Sequence, residues 1–303
     1  IVQLINPMFL ELKAERIFSI YRYLRKHNKK VILGGFGMDY YWVHVCCQDK
    51  PLRYSDFNIG DKLRNNADAL KERKEWLGTT KERLNRMIAE DCDGIITGLY
   101  EYWACYYPNF PRKTTFIPFP IRSYAHTADI SYAIPQKIKL FIGINKLRSE
   151  YKGTDIMLKA AQAIAEKYPE KVELRVAESL PFKQYVEMMN GSDAILDQLY
   201  SYTPSMNPLE AMARGIICIG GGEPENYEII HETQLKPILN VLPTYESVYQ
   251  QLEQLVLHPE RIPQLKKESI EYINKHHDYM KVAKKYEEYY KDTLCCQSEE
   301  TRL

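Results

Sequence analysis

Residues 202–228 read YTPSMNPLEAMARGIICIGGGEPENYE, and the succession of residue types here decides what the rest of the chain must be. A Pro204-Ser205-Met206-Asn207 turn opens a short helix over 208–214. Ser205 suits the N-cap, where a hydroxyl can accept a backbone N–H, and Pro208 suits the first helical turn, where a missing N–H costs nothing. Gly215 ends the helix. Ile216-Ile217-Cys218-Ile219 is wholly apolar, which fits a strand of a parallel sheet covered on both faces. It runs into Gly220-Gly221-Gly222 and then Glu223 and Glu225. Orphan N–H groups around Ser205, with the helix dipole behind them, favour an anion such as a phosphate. Glu210 can accept hydrogen bonds from vicinal hydroxyls, and the glycines allow close approach to the backbone. The stretch fits equally well an ordinary αβ unit with a Gly-rich loop.

Working outward, the same alternation recurs. Strands are expected at 137–143, 172–176, 194–197 and 238–241, and helices at 155–168, 182–189, 245–256, 262–275 and 279–292. Helix 155–168 carries Met157, Ala160, Ala161, Ile164 and Tyr168 on one face. In the loop before it, Lys146, Arg148 and Lys152 precede Gly153 and a capping Thr154, a good arrangement for a diphosphate. The N-terminal part reads as strand 2–6, helix 9–26, strand 31–33, charged helices within 61–90 broken near Gly78, strand 94–97, an aromatic helix 99–107 and a strand near 116–120. Strand–helix–strand repeats imply parallel sheets with right-handed crossovers. Gly34-Gly35-Phe36-Gly37-Met38-Asp39 leaves the carboxyl end of strand 31–33, where ligands of open α/β sheets bind. Asp39 could equally cap the next helix. Tyr40, Tyr41, Trp42 and His44 could form a sugar-stacking wall or simply pack. The basic run from Lys71 to Arg86 alternates with acids and reads as a solvated face.

The 202–228 stretch resembles the donor-nucleotide segment of GT-B glycosyltransferases, in particular the bacterial-type, GT4-like retaining group (glycosyl transferases group 1) that includes sucrose and glycogen synthase relatives. Leu209-Glu210-Ala211-Met212-Ala213, Gly215 and Gly221-Gly222-Glu223 carry the resemblance, and Lys152-Gly153 and Ile117-Pro118 match further segments. The resemblance implies two Rossmann-like domains with parallel sheets facing across a cleft and a C-terminal helix crossing back. The domains are then 1–125 on the acceptor side, 126–280 on the donor side, and 281–303 as the returning helix and tail. The chain opens on a strand, Ile1-Val2-Gln3-Leu4-Ile5, without the unit that precedes it in the family, so the first domain is expected to be incomplete. By the same resemblance, Glu210 holds the donor ribose. Tyr202, Ser205, Met206, Asn207, Leu209 and Glu223 line the donor, and Lys152 and Arg148 neutralise its diphosphate. Gly35, Phe36 and Gly37 face the acceptor, and Asp39 is the one candidate base. The chain departs from the family where Tyr202 replaces a Glu, Phe36 a His and Leu147 an Arg.

Composition narrows the partners. With 303 residues, about two domains are expected. A net charge of +1 gives no case for nucleic acid. The seven Cys include the doublets Cys46-Cys47 and Cys295-Cys296 but no metal-like pairs, and read as reduced thiols of a cytoplasmic protein. His276-His277 is read as a helix junction. No Asp-x-Asp motif stands where a metal-dependent transferase would need one, so no metal and no cofactor are expected. The expected partners are a nucleotide-sugar donor and a glycan or lipid-linked acceptor, the latter bringing peripheral contact with the inner face of a membrane. The activity implied is transfer of a sugar from a nucleotide-diphosphate sugar to a hydroxyl with retention. The alternatives are a catalytically impaired binding or partner subunit, or an inverting enzyme or epimerase of the same fold.

Overall fold

The computed structural model of the chain describes residues 1–122 and 130–295. Two compact units form: Ile1–Pro118 with the segment from Met280 onward, and Phe119–Tyr279. The boundary expected between 125 and 126 falls outside the described residues, as does the expected tail beyond Cys295.

The first unit runs β1 (Val2–Leu4), α1 (Ala14–His27), β2 (Val31–Gly35), α2 (Tyr40–Gln48), the hairpin β3 (Asn58–Ile59) and β4 (Lys62–Leu63), α3 (Ala67–Trp76), α4 (Thr80–Asp91), β5 (Gly94–Thr97), α5 (Tyr100–Tyr106) and β6 (Thr114–Phe116). The order β1-β2-β5-β6 is parallel throughout. The inner strands β2 and β5 are buried along their whole length, which is why they read as unbroken apolar runs. Helix α1 starts at Ala14 rather than at residue 9. Leu12 is exposed there, and the buried face is Ala14, Ile17 and Tyr21. Arg25, Lys26 and His27 complement the dipole in its last turn.

The second unit runs β7 (Ile138–Ile144), a 3₁₀ turn (Lys146–Arg148), α6 (Ser149–Lys152), α7 (Thr154–Lys167), β8 (Val172–Glu178), α8 (Phe182–Met189), β9 (Ala194–Leu196), α9 (Met206–Met212), β10 (Ile217–Gly220), α10 (Pro224–Ile229), β11 (Leu239–Asn240), α11 (Tyr245–Leu257) and α12 (Ile262–Tyr272). A π-helical turn, Ile273–His277, leads to α13 (Tyr279–Cys295). All five strands are parallel, in the order β11-β10-β9-β7-β8. Residues of β7 alternate between two cores: Ile138, Leu140, Ile142 and Ile144 join Met157, Ala161, Val248 and Leu252, while Phe141 joins Met189, Ala211 and Ile216. This is a sheet wound on both faces.

Helix α13 packs on the first unit's sheet. Val282 joins Ile32, Ile96 and Ile117, and a Cβ at Gly94 would overlap the Tyr289 hydroxyl. Where the chain passes between units, Ile121 N donates to His277 O at 2.7 Å and Tyr279 N to Ile121 O at 3.1 Å. His276-His277 is thus a junction. His277 Nδ1 lies 2.9 Å from Phe119 O, and His276 Nε2 2.7 Å from a Glu232 carboxylate that Lys275 also meets at 2.6 Å.

Asp39 is completely buried and caps α2: its carboxylate accepts from Trp42 N at 2.8 Å and from Tyr106 Oη at 2.7 Å. Burial pushes its carboxyl up to about 7, against the pull of the Trp42, Tyr106 and Tyr41 donors. A carboxyl raised in the folded state adds stability in full below the ordinary carboxylate range and loses it as pH rises through about 7. Asn keeps the cap without the charge. Relative to wild type, Asp39→Asn is therefore expected to gain Tm progressively between pH 5 and pH 8, read by thermal melts at matched ionic strength. Parallel curves for the two proteins would contradict the assigned burial of charge.

Candidate functional site

In the order β11-β10-β9-β7-β8 the winding reverses between β7 and β9: from β7 the chain crosses to β8 on one side, and from β9 to β10 on the other. Loops leaving the carboxyl ends of two such strands diverge and open a crevice. Here they are residues 145–153 and 197–205, and they hold one another. Leu199 N donates to Lys152 O at 3.0 Å. Gly153, at φ +73°, lies so near that a Cβ would sit 2.6 Å from Leu199 Cβ and 2.8 Å from the Tyr200 ring. Only glycine combines that φ with that proximity. The left-handed turn makes Gly153 the N-cap of α7 in place of Thr154, whose hydroxyl instead meets Ser149 Oγ at 2.9 Å.

The basic residues of the first loop have different partners. Lys146 pairs with Glu178 at 2.6 Å, and the Arg148 guanidinium lies 4.9 Å from the Tyr151 ring centre. Leu147, standing where the family has an Arg, is 90 % exposed. Lys152 is half-buried, and its ammonium has no ion-pair or hydrogen-bond partner among the described residues.

The second loop leads into α9. Ser205 takes the extended N-cap conformation without a side-chain cap bond; its hydroxyl accepts from Gln198 Nε2 at 3.3 Å. The helix spans Met206–Met212, so Pro208 is its third residue and Glu210 stands in the second turn rather than the first. Asn207 Nδ2 donates to Asp197 Oδ1 at 3.0 Å and to Tyr185 Oη at 2.9 Å. The Tyr185 ring covers Gly143 so closely that a Cβ there would lie 2.5 Å from it. Burial pushes the Tyr185 phenol up to about 12, so it stays protonated. Met206, Asn207 and Glu210 share one pocket of about 750 Å³ with Phe182, Tyr185 and Arg214. Glu210 is paired with Arg214 at 2.5 Å.

The remaining expected donor residues are placed inside the fold. Leu209 is fully buried, and its N–H is taken by Ser205 O. Tyr202 is 1 % exposed and accepts Glu223 N through its carbonyl, and Glu223 itself is buried at the start of α10. Gly221 and Gly222, after β10, pack closely on the chain itself: a Cβ at Gly221 would fall 2.1 Å from Ser201 O and one at Gly222 2.7 Å from Ile238. Asp197, Tyr185 and Arg214 went unread in the sequence. For Arg214 the signal was there, an acid four residues before it; for Asp197 and Tyr185 the partner lies on another element.

In the first unit, Gly35, Phe36 and Gly37 do leave the carboxyl end of β2. Gly35 abuts Tyr106, and Gly34 is shielded by the Phe36 ring; Gly37 alone has room, with Asn6 Nδ2 3.7 Å from its Cβ position. Asp39 points inward as a cap. Tyr40, Tyr41 and Trp42 are core, Trp42 packing on Tyr102 at 5.2 Å and Tyr41 on Tyr106 at 4.9 Å, so they form no sugar-stacking wall. Asp91-Cys92-Asp93 spells Asp-x-Asp, but both carboxylates are engaged: Asp91 accepts from Tyr21 at 2.7 Å, and Asp93 pairs with Arg25 at 2.5 Å and caps Val31 N at 2.8 Å. No group of three or more His, Cys, Asp or Glu among the described residues is placed to hold a metal ion. A second cavity, about 780 Å³, lies at the amino ends of β7 and β9, away from the switch point; its buried Lys266 is neutralised by Asp193 at 2.6 Å.

No family model matches this sequence, and no curated protein matches it by sequence. Solved structures do match its fold. A TarM variant from S. aureus, in complex with fondaparinux, α-GlcNAc-glycerol and UDP, superposes with a TM-score of 0.59 at 10 % identity, covering 92 % of this chain and 54 % of TarM. Sucrose-phosphate synthase from Thermosynechococcus elongatus superposes at 0.60 with 13 % identity, covering 92 % and 71 % of the two chains. HepE from Anabaena, in complex with UDP-glucose, superposes at 0.60 with 8 % identity, covering 92 % and 77 %. The chain thus spans about half the length of TarM. The fold is the one these glycosyltransferases share, GT-B.

The contact between the two rim loops has a measurable cost. Gly153→Ala should lose roughly 1–2 kcal/mol from the left-handed backbone and a further 1–3 kcal/mol, approximately, from overpacking against Leu199. Gly191 has the same φ of +73° but nothing within 4 Å of its Cβ position, so Gly191→Ala should lose the backbone part alone. Urea unfolding of both variants reads the difference; equal losses would mean that the loops do not bear on each other.

Proposed function

We propose that this chain is a GT4-like, retaining and metal-independent glycosyltransferase that moves a sugar from a nucleoside-diphosphate sugar to an acceptor hydroxyl. The observation carrying this reading is Lys152, a half-buried ammonium without a partner at the point where β7 and β9 diverge, next to the start of α7. Among the described half-buried cations, Arg25, Lys81, Arg175 and Arg214 each meet a carboxylate. One left unpaired beside a helix N-terminus suits a group with two or more negative charges. As the bond from the anomeric carbon to the diphosphate breaks, charge grows on the leaving phosphate. Lys152, Arg148 and the first N–H groups of α7 then stabilise it from fixed positions, where such donors are most effective. The phosphate oxygen takes the proton of the acceptor hydroxyl as the new bond forms on the same face, so no protein nucleophile enters. Glu210 binds the ribose hydroxyls, and the apolar pocket walls at Phe182 and Met206 receive the base.

UDP, present in a TarM and a HepE structure, is the first nucleotide to test. The acceptor, a glycan or a lipid-linked glycan, falls to the first unit near Gly37; a lipid-linked one would bring the chain to a membrane face. Among the described residues no helix is long and apolar enough to cross a membrane. A second reading, donor binding without turnover, is favoured by one observation: Tyr202, which replaces the family's Glu, is buried and brings no carboxylate to the crevice.

The test is a thermal-shift titration with UDP, UDP-glucose and UDP-GlcNAc, followed by product analysis. Ligand at about 100 times its dissociation constant adds roughly 2.7 kcal/mol of stability. Wild type should show that shift, and Lys152→Ala and Glu210→Ala should lose most of it. A shift that survives both substitutions would remove this site from the reading. Binding without product would select the second reading.

A further inference from the structure

We propose that Arg214 is the positioning residue for Glu210, and that through it the chain distinguishes a ribose from a 2′-deoxyribose; this rests on the donor reading above. In the other i,i+4 pairs among the described residues the cation is open to water: Arg86, paired with a 20 % exposed Glu82, is 52 % exposed, and in Lys291–Glu287 the two side chains are 67 % and 61 % exposed. Arg214–Glu210 is different. Its side chains are 17 % and 21 % exposed, and Arg214 Nη2 donates to Glu210 Oε1 at 2.5 Å. Taking both charges partly out of water strengthens their attraction and makes either one alone costly.

The mount is rigid as well. Arg214 stands in the turn that follows α9, with its N–H on Ala211 O at 2.9 Å, and Gly215 comes next at φ +72° with its Cβ position 3.0 Å from Ile130. Arg214 lines both the α8/α9 pocket and the cavity at the amino ends of the strands. It therefore reaches Glu210 from the side of the sheet's amino ends, while Met206 and Phe182 line the same pocket and are exposed. An ionised carboxylate has about four acceptor positions. Arg214 takes one of them and so fixes the direction in which the carboxylate faces the pocket. Such a carboxylate binds a vicinal diol better than a single hydroxyl, whereas the diphosphate, held elsewhere, is indifferent to Arg214.

The measurement is the affinity of UDP, 2′-deoxy-UDP and inorganic pyrophosphate for wild type, Arg214→Met, Arg214→Lys and Glu210→Gln, by isothermal titration. Wild type should bind UDP more tightly than 2′-deoxy-UDP. Arg214→Met should weaken UDP on the order of tenfold, the size of one charge-assisted hydrogen bond, bringing it to the 2′-deoxy-UDP value and leaving pyrophosphate unchanged. Arg214→Lys, which restores a charge, should recover part of the discrimination. Arg214→Met combined with Glu210→Gln should be no worse than Glu210→Gln alone. If Arg214→Met loses its fold, the Lys variant and the pyrophosphate control decide. UDP binding that Glu210→Gln weakens but the Arg214 variants leave intact would overturn this inference and spare the donor reading. Absence of UDP binding in wild type would overturn both.

Discussion

Gly153 approaches Leu199 and Tyr200 more closely than any residue with a side chain could, and the carboxyl rim of the second sheet is arranged around that approach. The left-handed turn at Gly153 redirects the chain from α6 into α7 and so decides where the first N–H groups of α7 and the Lys152 ammonium come to lie. The hydrogen bond from Leu199 N to Lys152 O ties the second loop to the same point. From there the second loop runs through Asp197, which orients Asn207, which in turn holds Tyr185 over Gly143. A crevice between diverging strands follows from topology alone. That its walls have fixed positions follows from these close contacts.

Several buried charges of this protein are matched on site. Lys266 meets Asp193 beneath the second sheet, Arg25 and Lys30 meet Asp93 beneath the first, and Glu232 meets His276 and Lys275 where the chain passes between units. Burial opposes the Glu232 charge, but Lys275, His276 and the N–H groups of Leu235 and Gln234 outweigh it and hold the carboxyl far below its ordinary range. At the carboxyl rim the half-buried Lys152 ammonium has no such partner among the described residues.

The architecture was legible because it rests on periodicity. Apolar runs at 31–33, 94–97, 138–144 and 216–219 became inner strands, and the helical faces of 155–168 and 245–256 became the layer packed on them. Residues 209–215 and Lys152-Gly153 carried the family resemblance, and the fold agrees with it. What could not be read depends on contacts distant in sequence. At Gly221 and Gly222 a sequence does not reveal that Ser201 and Ile238 occupy the space a side chain would need. The cap of α7 moved from Thr154 to Gly153 because the neighbouring loop demands a left-handed residue there. Asp39 had two readings, and only its bond to Tyr106, 67 residues away, separates them.

The first unit is discontinuous in sequence, and its last piece is α13. A ribosome makes Phe119–Tyr279 before it makes Val282, Tyr289 and Tyr290. The second unit is therefore complete as a length of chain while one face of the first unit's sheet still shows Ile32, Ile96 and Ile117 to solvent. Of these two units the one that comes first in this sequence is therefore the one that closes last, against the usual N-terminal-first order, and a chain released before α13 would carry a second unit complete in length and a first unit with its apolar sheet face open.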